Sequence, residues 1–175
     1  ALPALNKRFS LPIFGVIVPG AIAAVEATSN GRIGVIGTQA TIRSRAYPRA
    51  INELVKNVKI YGCACPLLVP LVEEGWVEHK MTTAVLREYL APLLAKKIDT
   101  LVLGCTHYPL LKAAIVRLTG PGIVLVDSAE SCAQYVQREL ERLGLLAPDG
   151  RGGMVLNVTD EMERVTDLAE RFLGQ

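Results

Sequence analysis

Apolar positions in this chain follow two rhythms. Short runs rich in β-branched residues occupy Pro12–Val18, Arg32–Ile36, Val58–Tyr61, Thr100–Leu103, Ile123–Val126 and Met154–Val158. Between and after them lie longer segments whose apolar residues recur three and four positions apart, as in Val136, Leu140 and Leu143. These are Ala21–Thr28, Gln39–Asn52, Met81–Ala95, Leu110–Leu118, Glu130–Leu143 and Asp160–Leu173. The first set reads as strands and the second as helices, with Ser131 and Asp160 standing where caps and first-turn residues belong. The strand runs are apolar throughout rather than alternating, which fits strands covered on both faces. Such strand–helix alternation predicts an α/β fold with a largely parallel sheet. The segment LLAPDGRGG, residues 145–153, is the clearest loop.

One apolar run is interrupted by chemistry. In IDTLVLGCTHYPLL, residues 98–111, a buried-looking stretch gives way after Gly104 to a thiol, a hydroxyl and an imidazole. Ligands of open parallel sheets bind beyond the carboxyl ends of the strands, where loops lead into helix N-termini. The predicted strand ends carry Gly37-Thr38, Gly104-Cys105-Thr106-His107 and Asp127-Ser128. The segment GCACPLLVPLVEEGW after Tyr61 adds Cys65 and Glu73. Polar and reactive side chains therefore gather along one edge of the sheet.

At that edge a helix is expected to start just after Cys105-Thr106-His107, with Pro109 in its first turn. The unpaired N–H groups of a helix start hold carboxylates or phosphates. They also favour a thiolate, lowering a thiol pKa from its usual ~8.5. His107 is placed to hydrogen-bond Cys105 or to exchange protons itself, and Thr106 offers a hydroxyl and an N–H to an anion. The competing reading makes Cys105 a small buried hydrophobe and His107 a satisfied polar residue. Thr38 and Thr41 read equally as carboxylate ligands or as loop and capping residues. Asp127 and Ser128 read as strand-end and capping residues, and Cys63, Cys65 and Cys132 as ordinary packed thiols. Spacing alone thus yields a thiol-dependent site with a taste for anions.

Composition removes several other classes. With 175 residues, half of them hydrophobic, the chain is one large domain or two small ones. A net charge of +2 with interspersed signs lacks the clustered cationic face that nucleic acid requires. Three Phe, five Tyr and one Trp leave little for base stacking. The stretch LPIFGVIVPGAIAAVEA is split by Pro19-Gly20 and closed by Glu26, so it does not read as a membrane span. The opening ALPALNKRF lacks the charged-then-apolar order of a leader, and the expected setting is cytoplasmic with reduced thiols. No metal site is expected: Cys63-Ala64-Cys65 is one residue short of the usual pair, and His79 and His107 have no paired spacing.

The string LVLGCTHYPLL resembles the second cysteine motif of the glutamate racemases, in the aspartate/glutamate racemase family. LPIFGVIVPGAIAA, RIGVIGTQATIRSRAY, CPLLVPLVEEGW and VLVDSAES are similar to further segments of that family in the same order, so the likeness spans nearly the whole chain. His107 distinguishes the motif from the related aspartate racemases. The resemblance implies a cofactor-independent interconversion of L- and D-glutamate, with one thiol on each face of the α-carbon. It implies Cys105 as catalytic acid or base, His107 as its catalytic helper, and Thr106 with His107 as substrate-binding residues. Glu73, in the family's Pro-Leu-Val-Glu segment, either orients His107 or is a solvated surface residue. The implied partner is glutamate, with no cofactor, no metal, no nucleic acid and no membrane; homo-oligomerisation is left open. Supply of D-glutamate for peptidoglycan, and so for cell shape, follows from the same likeness.

The implied architecture is a parallel-sheet sandwich of two pseudo-symmetric α/β halves facing across a cleft, the first half incomplete. Residues 1–19 and 129–175 would be the remainder of the first half, and residues 20–128 the second half carrying the Cys-Thr-His motif. The family's other thiol belongs to a motif of the type Ala-Cys-Asn-Thr-Ala, which does not occur here. ALPALNKRF resembles the second half of the helix that follows it. The expectation is therefore a chain lacking the N-terminal segment with the first catalytic cysteine, exposing apolar surface and having little activity alone. The alternatives are a non-catalytic remnant or binding module of the same fold, or a racemase for another acidic amino acid.

Overall fold

The β-branched runs form strands where both of their faces find apolar cover. The structure, a computed structural model, describes residues 2–147 together with residues 153, 155, 157, 169 and 172. Strands β1 (Arg32–Gly37), β2 (Lys59–Ala64), β3 (Thr100–Leu103) and β4 (Val124–Asp127) pair in the order β2-β1-β3-β4, every pair parallel. Ile33 and Val35 of β1 stand opposite Thr100 and Val102 of β3, fixing the register.

Because successive strand residues point to opposite faces, this sheet separates two cores. On one face Ile33, Val35, Val102 and Val126 meet Ala21 and Ala24 of helix α2 (Ile17–Ala27) and Tyr47 and Ile51 of helix α4 (Ala46–Leu54). On the other, Ile36, Leu101 and Leu103 meet helices α5 (Leu68–Glu73), α6 (Lys80–Leu94) and α7 (Lys112–Thr119). The contacts there include Leu68, Val72, Leu86, Leu90 and Ile115. Each such side chain contributes about 1.5–3 kcal/mol by leaving water. Helix α1 (Leu2–Arg8), α3 (Gln39–Ser44) and α8 (Ser128–Arg142) complete the described elements, with a 3-10 turn at Tyr108–Leu111.

Four of the expected strands are present, Thr100–Leu103 at its expected bounds and the other three with shifted ends. The expected strand Pro12–Val18 is not one: the chain runs irregularly up to Val16, and Ile17 opens α2. Pro19 falls within the first turn of that helix, where N–H groups have no intrahelical partner, so it does not break the helix. Pro70 holds the same place in α5, a helix the apolar pattern did not reveal. The expected helix Gln39–Asn52 is divided by Arg45, whose φ of 51° is left-handed. Ser131 lies inside α8, and the cap of that helix is Asp127. The expected strand Met154–Val158, the helix Asp160–Leu173 and the later part of loop 145–153 fall largely outside the described residues. Near the amino end Phe9, Leu11, Val16 and Val18 are exposed, Leu11 at 73%.

The amino edge of the sheet is gathered by one carboxylate. Asp99 accepts the Thr28 hydroxyl at 2.6 Å, the Ser29 N–H and hydroxyl at 2.7 and 2.9 Å, and the Asn30 N–H at 2.6 Å. Its own N–H donates to the Arg32 carbonyl, and its carbonyl accepts from the Val124 N–H. Burial opposes ionisation, yet the Thr28 hydroxyl and the Asn30 and Ser29 donors outweigh it and hold the carboxyl at about 2. A carboxyl depressed by folding stabilises the protein above its unfolded value, about 4, and that contribution is lost as pH falls through the folded value. Asp99→Ala is expected to lower the unfolding free energy by about 1–3 kcal/mol at neutral pH. In urea titrations the gap between the two proteins should narrow as pH drops below about 4; a gap independent of pH would refute the ionised role.

Candidate active site

Chain order creates the crevice. β1 is flanked by β2 on one side and β3 on the other, so the connections leaving β1 and β2 run in opposite directions across the sheet. Ligand sites of open parallel sheets form beyond the carboxyl ends of strands at such a reversal. Here those ends deliver Thr38 after β1 and Gly104-Cys105-Thr106-His107 after β3. A cleft of about 270 Å³ opens there, lined by Val16, Thr41, Gly104, Cys105, Thr106, Ser128 and Ala129.

Gly104 sets where the chain turns into that cleft. Its N–H donates to the Ile36 carbonyl at 2.8 Å. A β-carbon on residue 104 would lie 2.9 Å from that same oxygen and 3.0 Å from the Tyr47 ring. The backbone of β3 therefore keeps its last sheet contact only because no side chain intervenes, and the next residue emerges as Cys105.

Cys105 is half-buried, its Sγ 3.9 Å from His107 Nδ1. The Thr106 Oγ1 lies 3.3 Å from the same nitrogen, and His107 Nε2 lies 3.2 Å from the Glu73 carboxylate. Of the two roles expected for Glu73, the contact is the orienting one. In the neutral imidazole, a proton held on Nε2 by Glu73 leaves Nδ1 as an acceptor facing both the Thr106 hydroxyl and the Cys105 thiol. The Phe172 ring stands edge-on to the imidazole, with centroids 5.4 Å apart.

The thiol departs from the sequence expectation in one respect. The N–H groups of His107, Thr106 and Tyr108 do pull the thiol toward ionisation, the last of them while donating to the Cys105 carbonyl at 3.2 Å. Burial nevertheless dominates and pushes the Cys105 thiol above its ordinary value, against the pull of those donors and the Thr106 hydroxyl.

The neighbouring candidates divide between cleft and scaffold. Thr38 is the N-cap of α3, accepting from the Thr41 N–H at 3.3 Å, while Thr41 lines the cleft. Asp127 caps α8 through the N–H groups of Ala129 and Glu130 and pairs with Lys112 at 2.8 Å. The Ser128 hydroxyl donates to the Leu103 carbonyl at 2.8 Å, tying β4 to the end of β3. Cys132 sits half-buried within α8. His79 caps α6 by accepting from the Met81 N–H. Sequence reasoning missed Val16, Ala129 and Phe172, apolar residues whose spacing carries no chemical signal.

Residues 1–151 match the family model described as Asp/Glu/Hydantoin racemase. The chain belongs to this racemase family. The glutamate racemase of Chlorobaculum tepidum is 47% identical over 165 residues, which cover 94% of this chain and 61% of that protein. Glutamate racemase isoform RacE1 of Bacillus anthracis superposes with a TM-score of 0.94 at 39% identity, covering 100% of this chain and 66% of that one. The Francisella tularensis enzyme, solved in complex with D-glutamate, gives 0.90 at 30% identity over 100% of this chain and 65% of that one. The chain thus spans between 61% and 65% of the length of the first curated relatives it matches. In this racemase family member the four parallel strands superpose on those enzymes with the Cys-Thr-His segment at the carboxyl edge.

Two measurements follow from the site as built. Gly104→Ala must displace the Ile36 carbonyl or the Tyr47 ring, and is expected to cost about 1–3 kcal/mol of stability in chemical denaturation; an unchanged midpoint would contradict the close approach. Alkylation of Cys105 by iodoacetamide, followed by peptide mass, should still be climbing at the pH where an unburied thiol in a short peptide has levelled off, because burial raises the Cys105 thiol above its ordinary value. A rate already at its plateau at neutral pH would show the opposite shift.

Proposed function

We propose that this chain carries one wall of a cofactor-independent glutamate racemase site, with Cys105 as the proton-transferring thiol on one face of the α-carbon. The observation that carries the proposal is the Cys105–His107–Glu73 line at the cleft, a thiol beside an imidazole whose far nitrogen is held by a carboxylate. A buried thiol with a raised pKa rests as S–H and is ready to deliver a proton; its conjugate thiolate is correspondingly the stronger base for the return direction. His107 Nδ1, 3.9 Å from the sulfur, takes or returns that proton between turnovers. The hydroxyl and N–H of Thr106 are assigned to the substrate's charged groups, which are drawn out of water as the cleft fills.

Inversion needs a second acid–base group on the opposite face, and the family likeness supplies a second thiol for that role. Residues 1–19 and 129–175 are assigned to the half of the enzyme that presents it, and residues 20–128 to the half described above. Glutamate is favoured over aspartate or hydantoins by the glutamate racemases among its relatives, one of them solved with D-glutamate. A cytoplasmic enzyme feeding D-glutamate to peptidoglycan is the corresponding biological reading.

The test is a chimera in which these 175 residues replace the matching stretch of the Chlorobaculum tepidum enzyme. Circular dichroism should follow L- to D-glutamate conversion, and Cys105→Ser should reduce kcat by about 100-fold or more. Turnover surviving that substitution would remove the site assignment, and a preference for aspartate would remove the substrate.

A further inference from the structure

Of the three thiols outside the proposed reaction, two lie at the carboxyl end of β2. Cys63 is in the strand and Cys65 immediately follows it, so the two side chains leave the backbone on the same side. Their sulfurs are 4.0 Å apart, and the Cys65 sulfur is also 3.6 Å from the Cys63 carbonyl. Cys65 is fully buried in the α5–α6 core, while Cys63 is partly exposed. An accessible thiol backed by a buried one is the arrangement in which the first meets an oxidant and the second resolves the product.

We propose that Cys63 and Cys65 form a peroxide-reactive dithiol that closes to a reversible disulfide at the end of β2. The Cys63 thiolate attacks one oxygen of hydrogen peroxide, breaking the O–O bond, to give a sulfenic acid and hydroxide. The Cys65 sulfur then displaces the sulfenic oxygen, forming the S–S bond and releasing water as its proton leaves. The two thiols together lose two electrons and two protons, and the peroxide is reduced to two waters.

The geometry sets both the ease of formation and the ease of reversal. Closure brings the sulfurs from 4.0 Å to about 2.05 Å, which rotation of the two side chains begins and a bend of the backbone just past the end of β2 completes. The α-carbons of residues two apart on a strand are about 6.6 Å apart, near the upper end of what a disulfide spans. The resulting bond is strained, and strained bonds are the readily reduced ones. The ionisation order agrees with the mechanism. The hydrogen bond from Cys65, opposed by burial, lowers Cys63 to about 7. That same hydrogen bond, together with burial, keeps Cys65 protonated.

The experiment treats the reduced full chain with hydrogen peroxide at pH 7 and examines the tryptic peptide running from Ile60 to Lys80, which contains both thiols and no other. Expected is the loss of two hydrogens within that peptide, restored by glutathione, with a rate about ten-fold above oxidation of Cys132. In Cys65→Ala the reaction should stop at a Cys63 sulfenic acid that dimedone captures, and in Cys63→Ser residue 65 should remain unmodified. Alkylation of Cys63 should rise with pH through a midpoint of about 7. The proposal is overturned if native Cys63 proceeds to sulfinic acid without forming the bond, if neither thiol reacts, or if Cys65 oxidises as fast with serine at position 63. None of these readouts depends on racemase activity.

Discussion

The Gly104 amide bonds to the Ile36 carbonyl at a distance that excludes a β-carbon, and the site depends on that closeness. β1 and β3 are the central strands, covered on both faces by helices, so neither face of the sheet can admit a ligand. The carboxyl edge is what remains, and there the reversal of connection direction keeps helices from closing the gap. A side chain at residue 104 would force the strands apart just where they must stay paired. With glycine in place, the pairing persists to the last residue and the chain then swings Cys105 into the opening. The backbone contact and the reactive sulfur are consecutive steps of one path.

Around that sulfur, two opposing influences set the protonation state. Three amide donors and a hydroxyl favour the thiolate; removal from water favours the thiol, and it prevails. The site therefore differs from the reactive-cysteine pattern in which a helix start holds a thiolate ready at neutral pH. The role proposed for Cys105, giving up and regaining a proton, is better served by a balance than by permanent ionisation. His107 completes the balance, because Glu73 fixes which of its nitrogens faces the sulfur.

Much of this was legible in the residues, for identifiable reasons. Arg32–Ile36 and Thr100–Leu103 read as strands because they are apolar on both sides, and the structure buries them on both sides. The clustering of Cys105, Thr106 and His107 at the strand's carboxyl end was legible because they interrupt such a run there. Pro12–Val18 misled because β-branched residues suit a strand, whereas the packing of α2 against α4 and α8 draws Ile17 and Val18 into a helix. Proline in a first turn, at Pro19 and Pro70, masked two helix starts. The raised Cys105 pKa could not be read locally, since it comes from neighbours brought by distant segments. The contact of Phe172 with His107 was equally invisible, being made between residues 65 positions apart.

The Asp99 carboxylate binds Thr28, Ser29 and Asn30 at the rim opposite Cys105, with only the four residues of β3 between the two rims. Strand registration is thereby fastened at one end of the sheet while reactivity is displayed at the other. A fold arranged this way can be renovated from one side. Loops following Gly37, Cys65 and Gly104 can be lengthened or exchanged while the acid-bound rim goes on aligning the strands, so new ligands become reachable without rebuilding the foundation.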